Sequence, residues 1–223
     1  MSIPMDSERG ATPQTFVFAD LAGYTALTEA HGDETAADTA AAFRAAAAGL
    51  LVETGGEEVK ALGDGLMLRI PDAASAIRLG SRLVRDTVGH RSLGVRVGMH
   101  TGSAVRRGDD WFGAAVNVAA RVAELARAGE VLISGTTRDA AGPELHGVVL
   151  DARGTERLRH VGQPVDLYAI RLEDPRLVTD PVCRMAVDPD QAAAVREERG
   201  VHYHFCSLGC AEAFESEPQR YVQ

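Results

Sequence analysis

The step Gly63-Asp64-Gly65 lies between two apolar, strand-like runs at residues 58–62 and 66–70. An Asp-Gly pair in that setting is a strong hairpin signal, because the turn needs residues that accept positive φ. A hairpin makes its two strands antiparallel. Further strands are expected at 15–20, 93–101, 131–134, 148–150 and 165–170. Helices are expected after Gly23, with Thr25 as a cap, and at 33–54, where Gly55-Gly56 ends the run. Another opens at Pro71-Asp72, with Ala76, Leu79, Leu83 and Val84 at helical spacing, and a last one covers 114–128. Alternating helices and strands alone imply a parallel sheet. With the hairpin embedded, the expectation is α+β, a ferredoxin-like palm with a mixed sheet.

The chain has 223 residues, 45% of them hydrophobic, enough for one full core and a small second module. Its formal net charge is −9, which argues against general nucleic-acid binding, since that needs a basic surface. No apolar run approaches the roughly 20 residues needed to span a membrane, and residues 1–12 read as a polar, flexible tail without a secretory signal. The expected setting is cytoplasmic.

Asp20 ends the apolar run Phe16-Val17-Phe18-Ala19-Asp20 and is followed by Leu21-Ala22-Gly23-Tyr24-Thr25. Asp64 sits in the hairpin turn after Lys60-Ala61-Leu62-Gly63. Carboxylates at such places pack poorly but suit a pair of divalent ions over a triphosphate. In both stretches the sequence resembles the class III nucleotidyl cyclases. That resemblance covers about residues 13–171. It implies that Asp20, the Leu21 carbonyl and Asp64 hold two Mg²⁺ or Mn²⁺ ions, and that the backbone of residues 21–25 cradles the β- and γ-phosphates.

Downstream, Asp110, Asn117 and Arg121 fall at the family's spacing, in Asp110-Trp111-Phe112-Gly113-Ala114-Ala115-Val116-Asn117-Val118-Ala119-Ala120-Arg121. Spacing selects Asp110 over its neighbour Asp109. Asn117 and Arg121 are one helical turn apart and share a face. By resemblance, Asn117 orients the ribose, Arg121 stabilises the transition state, and Arg159 contacts terminal phosphates, although the family's usual L-K-G reads Leu158-Arg159-His160 here. Lys60 offers a donor and Asp110 an acceptor, which matches adenine rather than guanine. The implied substrate is ATP, with cyclic AMP and pyrophosphate as products. In this family the site forms between two chains, so a homodimer is implied. The segment between Thr101-Gly102 and Asp110 is shorter than the arm of many relatives.

A polar boundary follows at 171–177, with a linker placed at 173–176. Beyond it, Cys183, Cys206 and Cys210 form a C-x22-C-x3-C pattern. Residues 177–223 resemble a YHS domain, related to heavy-metal modules, with Arg184 where Gly is usual. So small a module gains from a metal staple. Three thiolates plus a fourth ligand suit Zn²⁺ or Cu⁺. His204, two residues from Cys206, is a candidate fourth ligand, and His202 on the same face of a strand is another. Three reduced cysteines packed as small hydrophobes are the alternative. For the whole chain, the reading set against an adenylate cyclase is a catalytically idle, dimeric cyclase-fold sensor coupling metal binding to a partner. The full set of six side chains argues against it.

Overall fold

The computed structural model describes residues 12–87, 92–145, 148–171 and 176–222. The tail expected at 1–12 and the linker at 173–176 fall outside these residues, apart from Thr12 and Arg176. The larger part of the chain runs β1 (Gln14–Ala22), α1 (Tyr24–Leu51), β2 (Glu57–Leu62), β3 (Gly65–Ile70), α2 (Ala73–Thr87) and β4 (Gly94–Gly102). It continues through β5 (Val105–Arg107), β6 (Asp110–Phe112), α3 (Ala114–Leu125), β7 (Glu130–Ser134), α4 (Gly135–Ala141), β8 (Asp151–Glu156) and β9 (Val165–Arg171). A seven-stranded sheet has the order β2-β3-β1-β4-β7-β9-β8, and only β4 and β7 pair in parallel. The α+β palm expected from the hairpin is therefore present.

Strand periodicity sorts the two faces. Val17, Ala19 and Leu21 of β1, with Val95, Val97 and Met99 of β4, bury under α1 and α2. The alternate residues face α3: Phe16 and Met67 pack with Ala115 and Ala119. Asp20 follows Phe16 and Phe18 on this second face. Helix α3 approaches β4 very closely at Gly98. A Cβ there would stand 2.1 Å from the Ala123 nitrogen, so only glycine lets the helix reach the sheet.

Two local expectations change. Thr25 does not cap α1; Gly23 is the N-cap, at φ 92, and Thr25 lies inside the helix. The break expected before residue 33 is present, because Gly32 has non-helical angles (φ 84, ψ 168) within α1. The strand placed at 148–150 is instead β8. Val148 and Leu150 pack against the core as irregular chain. β8 is an edge strand of mostly exposed residues, so it carries no apolar alternation that a sequence reading could detect. Helix α4, capped by Ser134 at 3.2 Å from the Thr137 amide, was also not expected.

The C-terminal part contains two small hairpins, β10 (Val178–Thr179) with β11 (Ala186–Val187) and β12 (Ala194–Glu198) with β13 (Val201–Phe205). Helices α5 (Leu208–Ser216) and α6 (Pro218–Tyr221) follow. Phe214 gathers Tyr203, Phe205 and Tyr221 at ring distances of 5.0, 5.2 and 6.3 Å. This module does not stand apart. Val182, Cys183, Phe205, Cys210 and Phe214 belong to the same buried apolar cluster as Leu27 and Leu93 of the larger part.

Gly98→Val is expected to destabilise the chain by about 1–3 kcal/mol or more, because backbone rather than a flexible side chain must yield. Urea unfolding matching the parent would rule out this close helix–sheet contact.

Candidate active site

Strands β1 and β4 align Asp20 directly opposite Arg96. The Arg96 Nε donates to Asp20 Oδ2 at 2.8 Å, and a second Arg96 nitrogen donates to the same oxygen. The β2–β3 turn, with Gly63 at φ 65, delivers Asp64 to the same place. Asp20 Oδ1 lies 3.1 Å from where a Gly65 Cβ would stand, so a side chain there would crowd the carboxylate. Burial, followed by the charge of Asp20, pushes the Asp64 carboxyl above its ordinary range. Two carboxylates that resist joint ionisation are a donor set suited to a polyvalent cation. Arg96 supplies part of that countercharge.

The chain leaves β1 through Leu21 and Ala22 and turns at Gly23 into α1. The Gly23 carbonyl accepts the Leu27 amide at 3.0 Å, and no side chain caps the first turn. The leading amides around Tyr24 and Thr25 are thus not taken up by a side-chain cap, as an anion cradle requires.

Lys60 and Asp110 are 50 residues apart in sequence, yet Lys60 Nζ donates to Asp110 Oδ2 at 2.6 Å. Two local devices produce the contact. A register shift between Glu58 and Lys60 bulges β2 and re-aims Lys60. The β5–β6 hairpin turns through Gly108, at φ 59, and Asp109, which leaves Asp110 paired with Arg107 at the start of β6. Trp111 then anchors the hairpin, edge-on to Phe16 and donating to Glu57 at 3.0 Å. The bond from Lys60 holds the Asp110 carboxyl below its ordinary range. On α3, Asn117 is exposed, and Arg121 pairs with Glu124. Arg159 is exposed in the turn between β8 and β9. Among the described residues, no hydrogen bond or ion pair joins Lys60, Asp110, Asn117 or Arg121 to Asp20 or Asp64.

A second cluster lies where the C-terminal module meets α1. Donor atoms of His31, Cys183, Cys206 and Cys210 all lie within 4.8 Å of one another. His204 is not in this group. Strand β13 ends at Phe205, so the two-residue alternation that would have put His204 beside Cys206 stops short, and His204 pairs with Val195 instead. The imidazole present is that of His31, 175 residues from Cys206, and no spacing rule could have pointed to it. Asp180, fully buried, knits the ligand loops together. Its carboxylate accepts the amides of Val182 at 2.8 Å, Cys183 at 3.4 Å and Cys206 at 2.8 Å. Thiol donation from Cys183 and Cys206 pulls the Cys210 thiol far down, while donation to Cys206 and Cys210 pushes Cys183 far up.

The adenylate and guanylate cyclase catalytic domain model matches residues 9–171, and the YHS domain model matches residues 178–223. The chain belongs to the adenylate and guanylate cyclase catalytic domain family. A "pH-sensitive adenylate cyclase MT1302" from Mycobacterium tuberculosis is 37% identical over 169 residues, covering 73% of this chain and 41% of that protein. An adenylate cyclase of Streptomyces coelicolor is 36% identical over 118 residues, covering 52% of this chain and 31% of that one. The chain thus spans less than half the length of these relatives. A Trypanosoma brucei adenylate cyclase, solved in its monomeric state, superposes with a TM-score of 0.70 at 23% identity, covering 82% of this chain and 96% of that one. The guanylyl cyclase Cya2 superposes with a TM-score of 0.61 at 23% identity, covering 73% and 94%. At these identities the structures speak for the cyclase fold.

Within the cyclase domain, the fold brings Asp20 to Asp64 and Lys60 to Asp110, and it places Asn117 and Arg121 on α3. No helix among the described residues is long and apolar enough to cross a membrane. Because the Asp64 carboxyl is raised, the folded state holds its proton more tightly than the unfolded chain does. The resulting penalty is absent in acid and fully present once pH exceeds the raised value. Without divalent cations, Asp64→Asn is therefore expected to stabilise the domain at neutral pH by up to about 1 kcal/mol, the limit set by partial solvation. The gain should vanish in acid. A destabilised Asn variant at pH 7 would contradict the strain assigned to the pair.

Proposed function

We propose that the chain is an adenylate cyclase that converts ATP to 3′,5′-cyclic AMP and pyrophosphate at sites shared between two copies of itself. The observation that carries this reading is the Lys60–Asp110 contact. Two residues chosen from sequence as a donor and an acceptor for adenine are held together at one point of the fold. Lys60 donates to adenine N1, and Asp110 accepts from the 6-amino group. The uncapped turn after Gly23 receives the β- and γ-phosphates. Asn117 orients the ribose so that its 3′-oxygen faces the α-phosphate, and Arg121 offsets the charge that develops there as pyrophosphate leaves. Arg159 adds a contact to the terminal phosphates. Two Mg²⁺ or Mn²⁺ ions, held by Asp20, the Leu21 carbonyl and Asp64, would supply Lewis-acid charge at the triphosphate.

Sharing between chains is supported by the separation of the two groups within one protomer. Asp20 and Asp64 lie with Arg96, while among the described residues Lys60, Asp110, Asn117 and Arg121 share no hydrogen bond or ion pair with them. Apolar side chains also lie exposed next to the site: Leu62, 47% exposed, precedes the Asp64 turn, and Phe112, 54% exposed, follows Asp110. Such a surface fits a second copy.

The decisive assay supplies ATP or GTP with Mg²⁺ or Mn²⁺ and measures the cyclic nucleotide. Cyclic AMP is expected, and Asp20→Ala or Asp64→Ala should abolish it; a preference for GTP would overturn the base assignment. Mixing Asp20→Ala with Arg121→Ala, each inactive alone, should restore part of the activity through heterodimers with one intact site. No recovery despite demonstrated chain exchange would argue against a shared site. Lys60→Glu should cost about tenfold or more in ATP use, since a carboxylate then stands where N1 needs a donor.

A further inference from the structure

The thiols and the imidazole of the second cluster come from different modules. Cys183, Cys206 and Cys210 belong to the YHS module; His31 belongs to α1 of the catalytic domain. The sulfur atoms of Cys183 and Cys206 are 3.4 Å apart, and those of Cys206 and Cys210 are 3.8 Å apart. His31 Nε2 is 3.4 Å from both the Cys206 and the Cys210 sulfur. With Zn–S near 2.3 Å and Zn–N near 2.0–2.1 Å, a tetrahedral zinc centre has S···S edges of about 3.8 Å and S···N edges of about 3.6 Å. These four edges match to within a few tenths of an ångström, and the other two, from Cys183 to Cys210 and to His31, lie within 4.8 Å. A disulfide needs sulfurs about 2.05 Å apart, and all three cysteines are free.

The scaffold behind the donors is also in place. Buried Asp180 fixes the backbone of both cysteine loops, as a supporting group does for metal ligands. Ser207 caps α5 and accepts the Cys210 amide at 3.1 Å, setting that thiol in the first turn of the helix. The modules are joined around the cluster by Ala186 N to Ser92 O at 2.8 Å and by Arg220 to Glu29 at 3.2 Å. Gly32 interrupts α1 immediately after His31, so His31 ends a separate two-turn segment that begins at Tyr24.

We propose that His31, Cys183, Cys206 and Cys210 bind one Zn²⁺ ion in a closed, four-coordinate Cys₃His site that fastens the YHS module to the first segment of α1. All four positions are filled by protein, so the site is structural in character rather than catalytic. The ion acts on the turn at Gly23 by two routes. His31 lies in the same helical segment as Tyr24 and Thr25. Arg184, next to ligand Cys183, packs so closely that its Cβ lies 2.6 Å from where a Gly23 Cβ would stand. Metal occupancy therefore sets the order of this turn. Its role as a phosphate cradle, and hence any effect on turnover, rests on the cyclase reading above.

The test uses the full chain, reduced and stripped with a chelator, then titrated with Co²⁺ and displaced with Zn²⁺. The wild type should take up one Co²⁺ per chain, with the intense visible absorption of a tetrahedral site and a thiolate-to-cobalt charge-transfer band. His31→Ala should weaken binding by more than about tenfold, the lower range for losing even a supporting partner, and should change the spectrum. His31→Cys should restore tight binding with a four-sulfur spectrum, which separates ligand loss from misfolding. Cys210→Ser should lose tight binding. In hydrogen exchange, Zn²⁺ should slow the amides of residues 23–31 in the wild type and not in His31→Ala. Unchanged affinity and spectrum in His31→Ala, no uptake by the wild type, or equal exchange with and without Zn²⁺ would each overturn the proposal. None of these readouts needs turnover, so a chain that binds cobalt as expected but makes no cyclic nucleotide overturns the proposed function alone.

Discussion

Strand β1 is hydrogen-bonded along both edges, to β3 on one side and to β4 on the other. Its register fixes almost everything else. A slip by one residue would turn Val17, Ala19 and Leu21 away from α1 and α2 and bury Asp20 in their place. In the register observed, the apolar set closes the core and Asp20 emerges opposite Arg96, on the face covered by α3. The same strand runs directly into the turn at Gly23, so core packing and the position of the uncapped helix start are set together.

The acidic pair shows how such a site departs from what packing alone would select. Burial and then the charge of Asp20 raise the Asp64 carboxyl above its ordinary range, and Arg96 relieves only part of that. A chain selected only for stability would not keep both. Lys60 and Asp110 are different: opposite charges in contact, half-exposed and individually inexpensive. One cluster is thus poised to receive positive charge, and the other is already neutral as a pair.

The residues legible in the sequence were those embedded in local motifs. The turn singled out Asp64 and the end of an apolar run singled out Asp20, whereas Asn117 and Arg121 came from resemblance to the cyclase family's spacing, helical spacing showing only that they share a face. The family's spacing selects Asp110 over Asp109, and in the fold Asp109 lies in the turn with Gly108 while Asp110 opens β6 and meets Lys60. Strand β8 was not legible, because an edge strand with both faces near solvent needs no alternating pattern. His31 was not legible for another reason. Its neighbours in sequence are those of an ordinary exposed helix, and its chemistry appears only when a second module folds against it. His204 is the nearer histidine in sequence, two residues from Cys206, but nearness in sequence does not bring it to the sulfurs.

The break at Gly32 separates a long helix into two mechanically distinct pieces. The later piece carries Phe43, Ala47 and Leu50 into the core, where a change of volume is felt throughout the domain. The earlier piece has only Leu27 fully buried, and its half-buried residues include Tyr24 against the core and His31 against the C-terminal module. Beyond its first turn, sequence in that short piece can change to suit what is docked on it while the later piece keeps its packing. A broken helix of this kind is a natural grafting point, where an appended module docks on one short piece and leaves the packing of the longer piece untouched.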